Sequence, residues 1–446
     1  MSEPQHDSDQ GRLKTLLGHE FFAPAQWQRR VALWTGGVLV GLAAIAFARG
    51  SDYAFRMFQR IESVSPLIPL VLTPAMFILL AWLTQGVLKP TRGSGIPQVI
   101  ASLQIEDAGL RRRLLSLPVA LGKMALTLMA LLGGASVGRE GPTVHVGAGL
   151  MYWLGRRFGF SDPKAISRFI LAGGGAGIAA AFNTPLAGVV FAIEELAGTF
   201  EHRVSGIILT AVIFAGIVSL GVMGDYAYFG RVDAVLPLGQ SLLAALMCGI
   251  CGGIGGGIFA RMILPSKSGV LGYVTRLRRH SPVLFAGACG LALAMLGVFS
   301  GSAVFGTGYA EAYALVQATH GAGASFGLLK LAANILSYWA GIPGGIFSPA
   351  LAVGAGMGNT LAGLLPNVDT SAVVLLGMAA FLSGVTQAPL TSAVISLELT
   401  ANNSMVIPIM AVCLLSRAAS SVVCPVPIYR ALATSIVEDF EPKRMV

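Results

Sequence analysis

Apolar runs begin near Val31, Pro66, Leu114, Phe169, Gly206, Ser241, Pro282, Ser325, Val373 and Val406, and no polar stretch between them is long enough to build a soluble domain. Inside a bilayer every backbone N–H and C=O must be paired within the protein, so runs of this kind are read as helices. Several are too long or too interrupted for one simple crossing. Only 11% of the 446 residues are charged, against roughly a quarter in soluble domains. Disordered, coiled-coil and nucleic-acid-binding classes are excluded on that ground, leaving an all-α polytopic membrane protein. The 57 glycines are scattered through the apolar runs without a period, which suits close helix packing and broken helices.

The net charge of +9 resides in the connections: Arg12, Lys14, Arg29 and Arg30 precede the first run, Arg111, Arg112, Arg113, Arg276, Arg278 and Arg279 punctuate later ones, and Lys443 and Arg444 lie at the end. By the positive-inside rule both termini are cytoplasmic, which requires an even number of crossings. The first thirty residues lack a signal-peptide layout, and no appended regulatory domain is expected. Cys248, Cys251, Cys289, Cys413 and Cys424 lie in or beside apolar stretches and are read as packing thiols, the Cys248-x-x-Cys251 spacing included.

Two segments answer each other along the chain. Gly138-Arg139-Glu140-Gly141-Pro142, followed by Val146-Gly147-Ala148-Gly149, matches Gly345-Ile346-Phe347-Ser348-Pro349, followed by Val353-Gly354-Ala355-Gly356, at an offset of 207 residues. At an offset of 204, Asn183-Thr184-Pro185-Leu186 and Ile193-Glu194-Glu195-Leu196 match Gln387-Ala388-Pro389-Leu390 and Leu397-Glu398-Leu399-Thr400. The chain is therefore divided into a segment 1–30, a membrane half 31–225, a second half 226–430 and a tail 431–446. Duplicated halves with Gly- and Pro-broken helices are the mark of transporters whose site lies where the halves meet. The match alone leaves parallel and inverted arrangements open.

Gly93-Ser94-Gly95-Ile96-Pro97 shares a layout with the Gly138 and Gly345 segments: glycines, then a proline at the first turn of a helix. Proline is tolerated there because its missing N–H would be unpaired anyway. A helix start inside the membrane offers free N–H groups and a partial positive charge to an anion, and it releases that anion more readily than a buried cation would. Glu140 is itself an anion beside such a start, so it competes for the position until a proton neutralises it.

These three segments, with Asn183-Thr184-Pro185-Leu186-Ala187-Gly188 and the late Pro427-Ile428-Tyr429, resemble the signature stretches of the CLC family of chloride channels and proton-coupled chloride transporters, and the likeness runs from about residue 30 to 440. The resemblance implies two inverted halves, about eighteen helices per protomer, and a homodimer with an anion pathway in each subunit. It implies chloride binding by Ser94, Tyr429 and the backbone N–H groups of Ile346 and Phe347. Glu140 matches the external gate and proton acceptor, and Glu195 the internal proton-transfer acid that channel members replace with an apolar residue. Glu195 thus separates a chloride/proton antiporter, the expected function, from a passive chloride channel. A fluoride exporter is disfavoured by the intact Gly-Ser-Gly-Ile-Pro. The partners implied are chloride, protons, the bilayer and a second copy, with no nucleic acid, no cofactor and no metal. A bacterial inner membrane is the expected location, and the protein is not expected to be an enzyme.

Other candidates are weighed on chemistry. Glu194, with Glu398 opposite, is read as structural. Lys123 is either near the anion pathway or a snorkelling or packing residue, and His145 a hydrogen-bonded structural histidine. No function attaches to Ser348. Gly134-Ala135-Ser136-Val137-Gly138 fits a hydrolase nucleophile pattern but is read as lying within an apolar helix, where no catalytic elbow could form. Of the other histidines, His6, His19, His202, His280 and His320 fall in or near expected loops. Gly175-Ala176-Gly177-Ile178-Ala179-Ala180 is read as helix packing.

Overall fold

The computed structural model describes residues 24–86, 88–198, 202–224, 226–266, 268–319 and 323–440. Arg12, Lys14, His6, His19, His320, Lys443 and Arg444, with most of the segment 1–30 and the end of the tail, lie outside them. Among the described residues there is no strand. The first half contains α1 Pro24–Val64, α2 Pro69–Leu83, α3 Ile96–Gln104, α4 Ala108–Leu115, α5 Leu117–Leu132, α6 Glu140–Arg157, α7 Pro163–Phe182, α8 Pro185–Phe191 and α9 His202–Met223. The second contains α10 Leu238–Ile263, α11 Gly269–His280, α12 Pro282–Phe299, α13 Tyr309–Val316, α14 Phe326–Trp339, α15 Phe347–Ala362, α16 Thr370–Thr386, α17 Pro389–Thr400 and α18 Val406–Val423, after which comes α19 Ile428–Phe440. Among the described residues, seven helical spans are long and apolar enough to cross a membrane.

The packing repeats with the sequence. In the first half α1 lies on α7 and α9, and α6 on α7; in the second, α10 lies on α16 and α18, and α15 on α16. Asp162 caps α7 by accepting from the Ala165 N–H, and Asp369 caps α16 by accepting from Ser371 and Ala372. Where α6 crosses α7, the Cβ of any residue at Gly147 would fall on the Gly173 carbonyl; the mates Gly354 and Gly377 meet in the same way. Glycine at these crossings lets backbones touch, which is how helices associate in lipid.

The halves interlock reciprocally. Gly138 N–H donates to Gly345 O and Gly345 N–H to Gly138 O, both at 2.7 Å, in an antiparallel bridge. Glu194 accepts from the Leu390 and Thr391 N–H groups at 3.2 and 2.6 Å, and Glu398 accepts from Leu186 and Ala187 at the same two distances. Each glutamate thus caps the exposed start of the other half's helix, the structural role expected for Glu194. This is the geometry of inverted repeats about a pseudo-twofold axis.

Two expectations need adjusting. Residues Gly133 to Gly138 form a turn between α5 and α6 and not part of a helix, because Gly134 takes φ +76°; Ser136 Oγ there donates to Asn334 Oδ1 at 2.7 Å. Residues up to Phe440, expected as a tail beyond 430, continue helix α19, which packs on α3.

The repeat also relates two lysines, Lys123 on α5 and Lys330 on α14, 207 residues apart. Both are fully buried. Lys123 Nζ donates to the Thr91, Arg92 and Gly93 carbonyls at 2.7, 3.3 and 2.6 Å, and Lys330 Nζ to Val304, Phe305 and Gly306 at 2.9, 3.4 and 2.9 Å. Each serves a matching loop, Gly93-Ser94-Gly95 or Gly306-Thr307-Gly308, whose glycines all have positive φ. Neither lysine snorkels. Stranding buried carbonyls costs about 1–3 kcal/mol apiece, so Lys330→Met is expected to lower the unfolding temperature of the purified protein while leaving chloride affinity intact. Lys123→Met, whose loop carries Ser94, is expected to lower both. Chloride calorimetry beside a melting curve checks this contrast.

Candidate functional site

Helix starts from both halves converge on one buried point. Gly95, at φ +105°, ends the loop into α3 and packs so closely on α6 that a Cβ there would lie 2.8 Å from both Gly141 O and His145 Cβ. A side chain at Gly141 would fall on Ser94 Oγ, and its Cβ would stand 3.3 Å from Gly345 Cα just ahead of α15. The first N–H groups of α3, α6 and α15 have no partner within their own helices. They therefore face a shared space. The prolines expected at first turns, Pro97, Pro142 and Pro349, sit within the first three residues of these helices.

Ser94 Oγ and Tyr429 Oη are buried neighbours of each other, and neither bonds any other protein group. The Tyr429 ring stacks on Phe347 with centroids 6.5 Å apart and planes 5° apart, and Phe182 and Phe191 hold the other sides of Phe347 at 6.3 and 6.1 Å. Ile346 caps α15 and is buried beside it. The Tyr429 phenol has Ser94, Glu140 and Glu195 among its polar neighbours, so Ser94, Ile346, Phe347 and Tyr429 form one group. Lys123 contributes indirectly. Its amino head gathers the loop carbonyls, and the Pro90 and Arg92 carbonyls also accept from Gln98 Nε2, which fixes the loop that carries Ser94.

Glu140 is fully buried and neither carboxyl oxygen has a hydrogen bond. Its Oε2 occupies the room that Gly138 leaves: a Cβ at that glycine would stand 2.6 Å from it. Arg139 does not tie it down, since its guanidinium Nη1 donates to Asp52 Oδ1 at 2.7 Å and to Ala48 O at 2.9 Å, while its Nε is 4.0 Å from Glu140 Oε1. A carboxylate without a hydrogen bond, set among helix starts and 4.0 Å from one guanidinium nitrogen, can exchange places with another anion.

Glu195 lies on Ala192–Ala197, where α8 widens into a π turn, a distortion that recurs at functional positions. It is 5% exposed, beside Glu194 and Arg430. His145 is fully buried with Nε2 on the Leu114 carbonyl at 2.8 Å, the structural role expected of it. Ser348 Oγ is buried and unbonded at the start of α15.

Sequence reasoning passed over two features. Tyr228 lies near Arg139 and Glu140, with Tyr309 donating to its carbonyl at 2.9 Å and the rings 4.8 Å apart. On the other side of Ser94, a cavity of about 390 Å³ is lined by Gly93, Ser94, Gln98 and Tyr338 and carries Lys89, Arg92, Arg278 and Arg279. Arg278 and Arg279 were visible as loop charges, but their convergence with Lys89 and Arg92 joins chain segments nearly two hundred residues apart.

Residues 75–421 match the family model described as voltage gated chloride channel. The chain belongs to that family. It is 28% identical over 436 residues to the H(+)/Cl(-) exchange transporter ClcA of Yersinia pestis bv. Antiqua (strain Angola), covering 92% of this chain and 87% of the relative, and the same figures hold for the ClcA of Yersinia pseudotuberculosis serotype O:3 (strain YPIII). Among solved structures, a slow cyanobacterial Cl-/H+ antiporter superposes with a TM-score of 0.77 at 24% identity, covering 94% of this chain and 99% of the other. A CLC-type fluoride/proton antiporter gives 0.75 at 25% identity, covering 90% and 97%. The expected family and fold class, all-α with two inverted halves, hold, and the chain is an integral multi-pass membrane protein.

Proposed function

We propose that this member of the family is a chloride/proton antiporter. Chloride sits between Ser94 Oγ, Tyr429 Oη and the amides of Ile346 and Phe347; Glu140 is the external gate and proton acceptor, and Glu195 the internal proton acid. The observation that carries the reading is the buried Glu140 carboxylate, without a hydrogen bond among helix starts, with a second buried acid, Glu195, also among the neighbours of the Tyr429 phenol. Chloride and the Glu140 carboxylate are anions competing for the same positive helix ends. Protonation of Glu140 removes one competitor, so chloride entry and proton uptake become linked. The curated relatives named as H(+)/Cl(-) exchange transporters support the same function. Each subunit of a homodimer carries its own pathway, in a bacterial inner membrane with both termini cytoplasmic, and no chemical bond is made or broken.

The test is the reversal potential of the purified protein in planar bilayers under opposed chloride and pH gradients. It is expected to be displaced from the chloride equilibrium potential toward that of protons. Reversal at the chloride value under a steep pH gradient would instead mark a passive channel.

A further inference from the structure

Tyr228 lies in the connection between α9 and α10, and nothing in the coupling scheme uses it. Gly37 of α1 packs on Ala211 of α9, and Gly41 on Ala215 and Val218, so the two helices run parallel and this connection emerges at the membrane face opposite Arg29 and Arg30. Two backbone bonds pin it, Phe229 N–H to Leu399 O at 2.8 Å and Val232 N–H to Thr400 O at 3.1 Å. The Tyr309 hydroxyl donates to the Tyr228 carbonyl at 2.9 Å, and the Tyr228 ring is clamped edge-on by Phe182, Phe229 and Tyr309 at 5.3, 5.0 and 4.8 Å. Phe182 in turn lies 6.3 Å from Phe347 of the anion group. Tyr228 is 5% exposed, yet its hydroxyl is bonded by no described residue.

A carboxyl group that has taken up a proton still needs a hydrogen-bond partner wherever it is buried. Glu140 has none in the position seen, and with chloride held between Ser94 and Tyr429 the phenol of the anion group is taken. The ionisable groups around Glu140 are Arg139 beside it, tied to Asp52 of α1; Tyr429 of α19; and Tyr228. Tyr226 and Tyr309 stand behind these, near Arg139 and Asp52. Resting on the reading of Glu140 as the gate, we propose that the Tyr228 hydroxyl is the dock for that gate once protonated: Glu140 turns away from the helix starts and its acid O–H donates to Tyr228 Oη. Tyr228 is thereby a positioning residue. It holds the gate clear of the anion, and it favours the protonated form because the bond exists only there.

The test is the pH dependence of chloride flux in proteoliposomes. In wild type, flux is expected to rise as pH falls, because protonation removes the competing carboxylate. Tyr228→Phe keeps the ring and loses the dock, so half-maximal flux is expected at a pH lower by about one unit, a roughly tenfold loss of proton affinity and the ordinary net worth of one hydrogen bond. Glu140→Ala has no carboxyl to dock. Its profile is expected to be flat, and adding Tyr228→Phe to it should change neither rate nor profile, whereas a ring that served packing alone would slow both backgrounds alike. A flat Glu140→Ala profile with an unshifted Tyr228→Phe profile overturns the dock and leaves the gate standing; so does an equal effect of Tyr228→Phe in both backgrounds. A Glu140→Ala profile that titrates as wild type does overturns the gate and the dock with it. Chloride calorimetry shows whether Tyr228→Phe folds; should it not, Tyr309→Phe, which releases the Tyr228 carbonyl and keeps its phenol, is expected to move the midpoint the same way by about half a unit, and an unmoved midpoint overturns the proposal.

Discussion

Glu140→Gln is expected to keep chloride moving and to abolish proton coupling. The amide has the shape of the acid but neither its charge nor its titration. It cannot accept a proton in the membrane, so proton flux in proteoliposomes should fall to the unfacilitated leak and the reversal potential should move to the chloride value. It also no longer competes for the helix starts of α6 and α15. A partial charge at a well-placed helix end is worth up to about 2 kcal/mol to an anion, so chloride binding by calorimetry should tighten by about ten- to thirtyfold. The positions of Glu140 and Gly138 make the substitution sterically mild: Oε2 fills space that exists only because residue 138 is glycine. If Glu140→Gln still drove protons against their gradient, the gate would have to be another acid.

The legible part of this protein was its duplication. Offsets of 207 and 204 found the two central loops, and the same loops bond to each other across the pseudo-twofold axis. Proline and glycine carried the breaks because backbone geometry admits few other residues there. The lysine pair was equally available, since Lys123 and Lys330 stand at the same 207-residue offset, yet isolated lysines in apolar runs carry no local pattern to prompt the comparison. Gly306-Thr307-Gly308 escaped for a related reason: its offset from Gly93-Ser94-Gly95 is 213, so the register slips by six residues between loop and helix. Short helices such as α4 and α13 do not stand out within apolar or mixed runs, because length, the main signal for a crossing, is absent. The π turn at Glu195 and the aromatic packing of Phe347 against Phe182, Phe191 and Tyr429 are tertiary, and nothing in local spacing announces them.

Adjacent Glu194 and Glu195 provide the sharpest separation of structure from mechanism, because one peptide bond divides a helix cap from the proposed proton carrier. Both oxygens of Glu194 are committed to the Leu390 and Thr391 amides, an arrangement that Glu398 reproduces in the other half and that needs no titration to work. Glu195 has Leu399 as its repeat mate, so the symmetric scaffold does not require an acid there. A carboxyl 5% exposed in a membrane helix is costly to keep without a task, and its neighbours Tyr429 and Arg430 put it beside the start of α19. Glu195→Gln is accordingly expected to retain chloride flux within about twofold and chloride affinity nearly unchanged, since the residue makes no part of the anion group, while the reversal potential under a pH gradient shifts to the chloride value. Glu194→Gln is the control: it should lose about 1 kcal/mol of stability through a weakened cap and keep full coupling. Retained coupling in Glu195→Gln, or lost coupling in a folded Glu194→Gln, would assign the internal proton path to a different group.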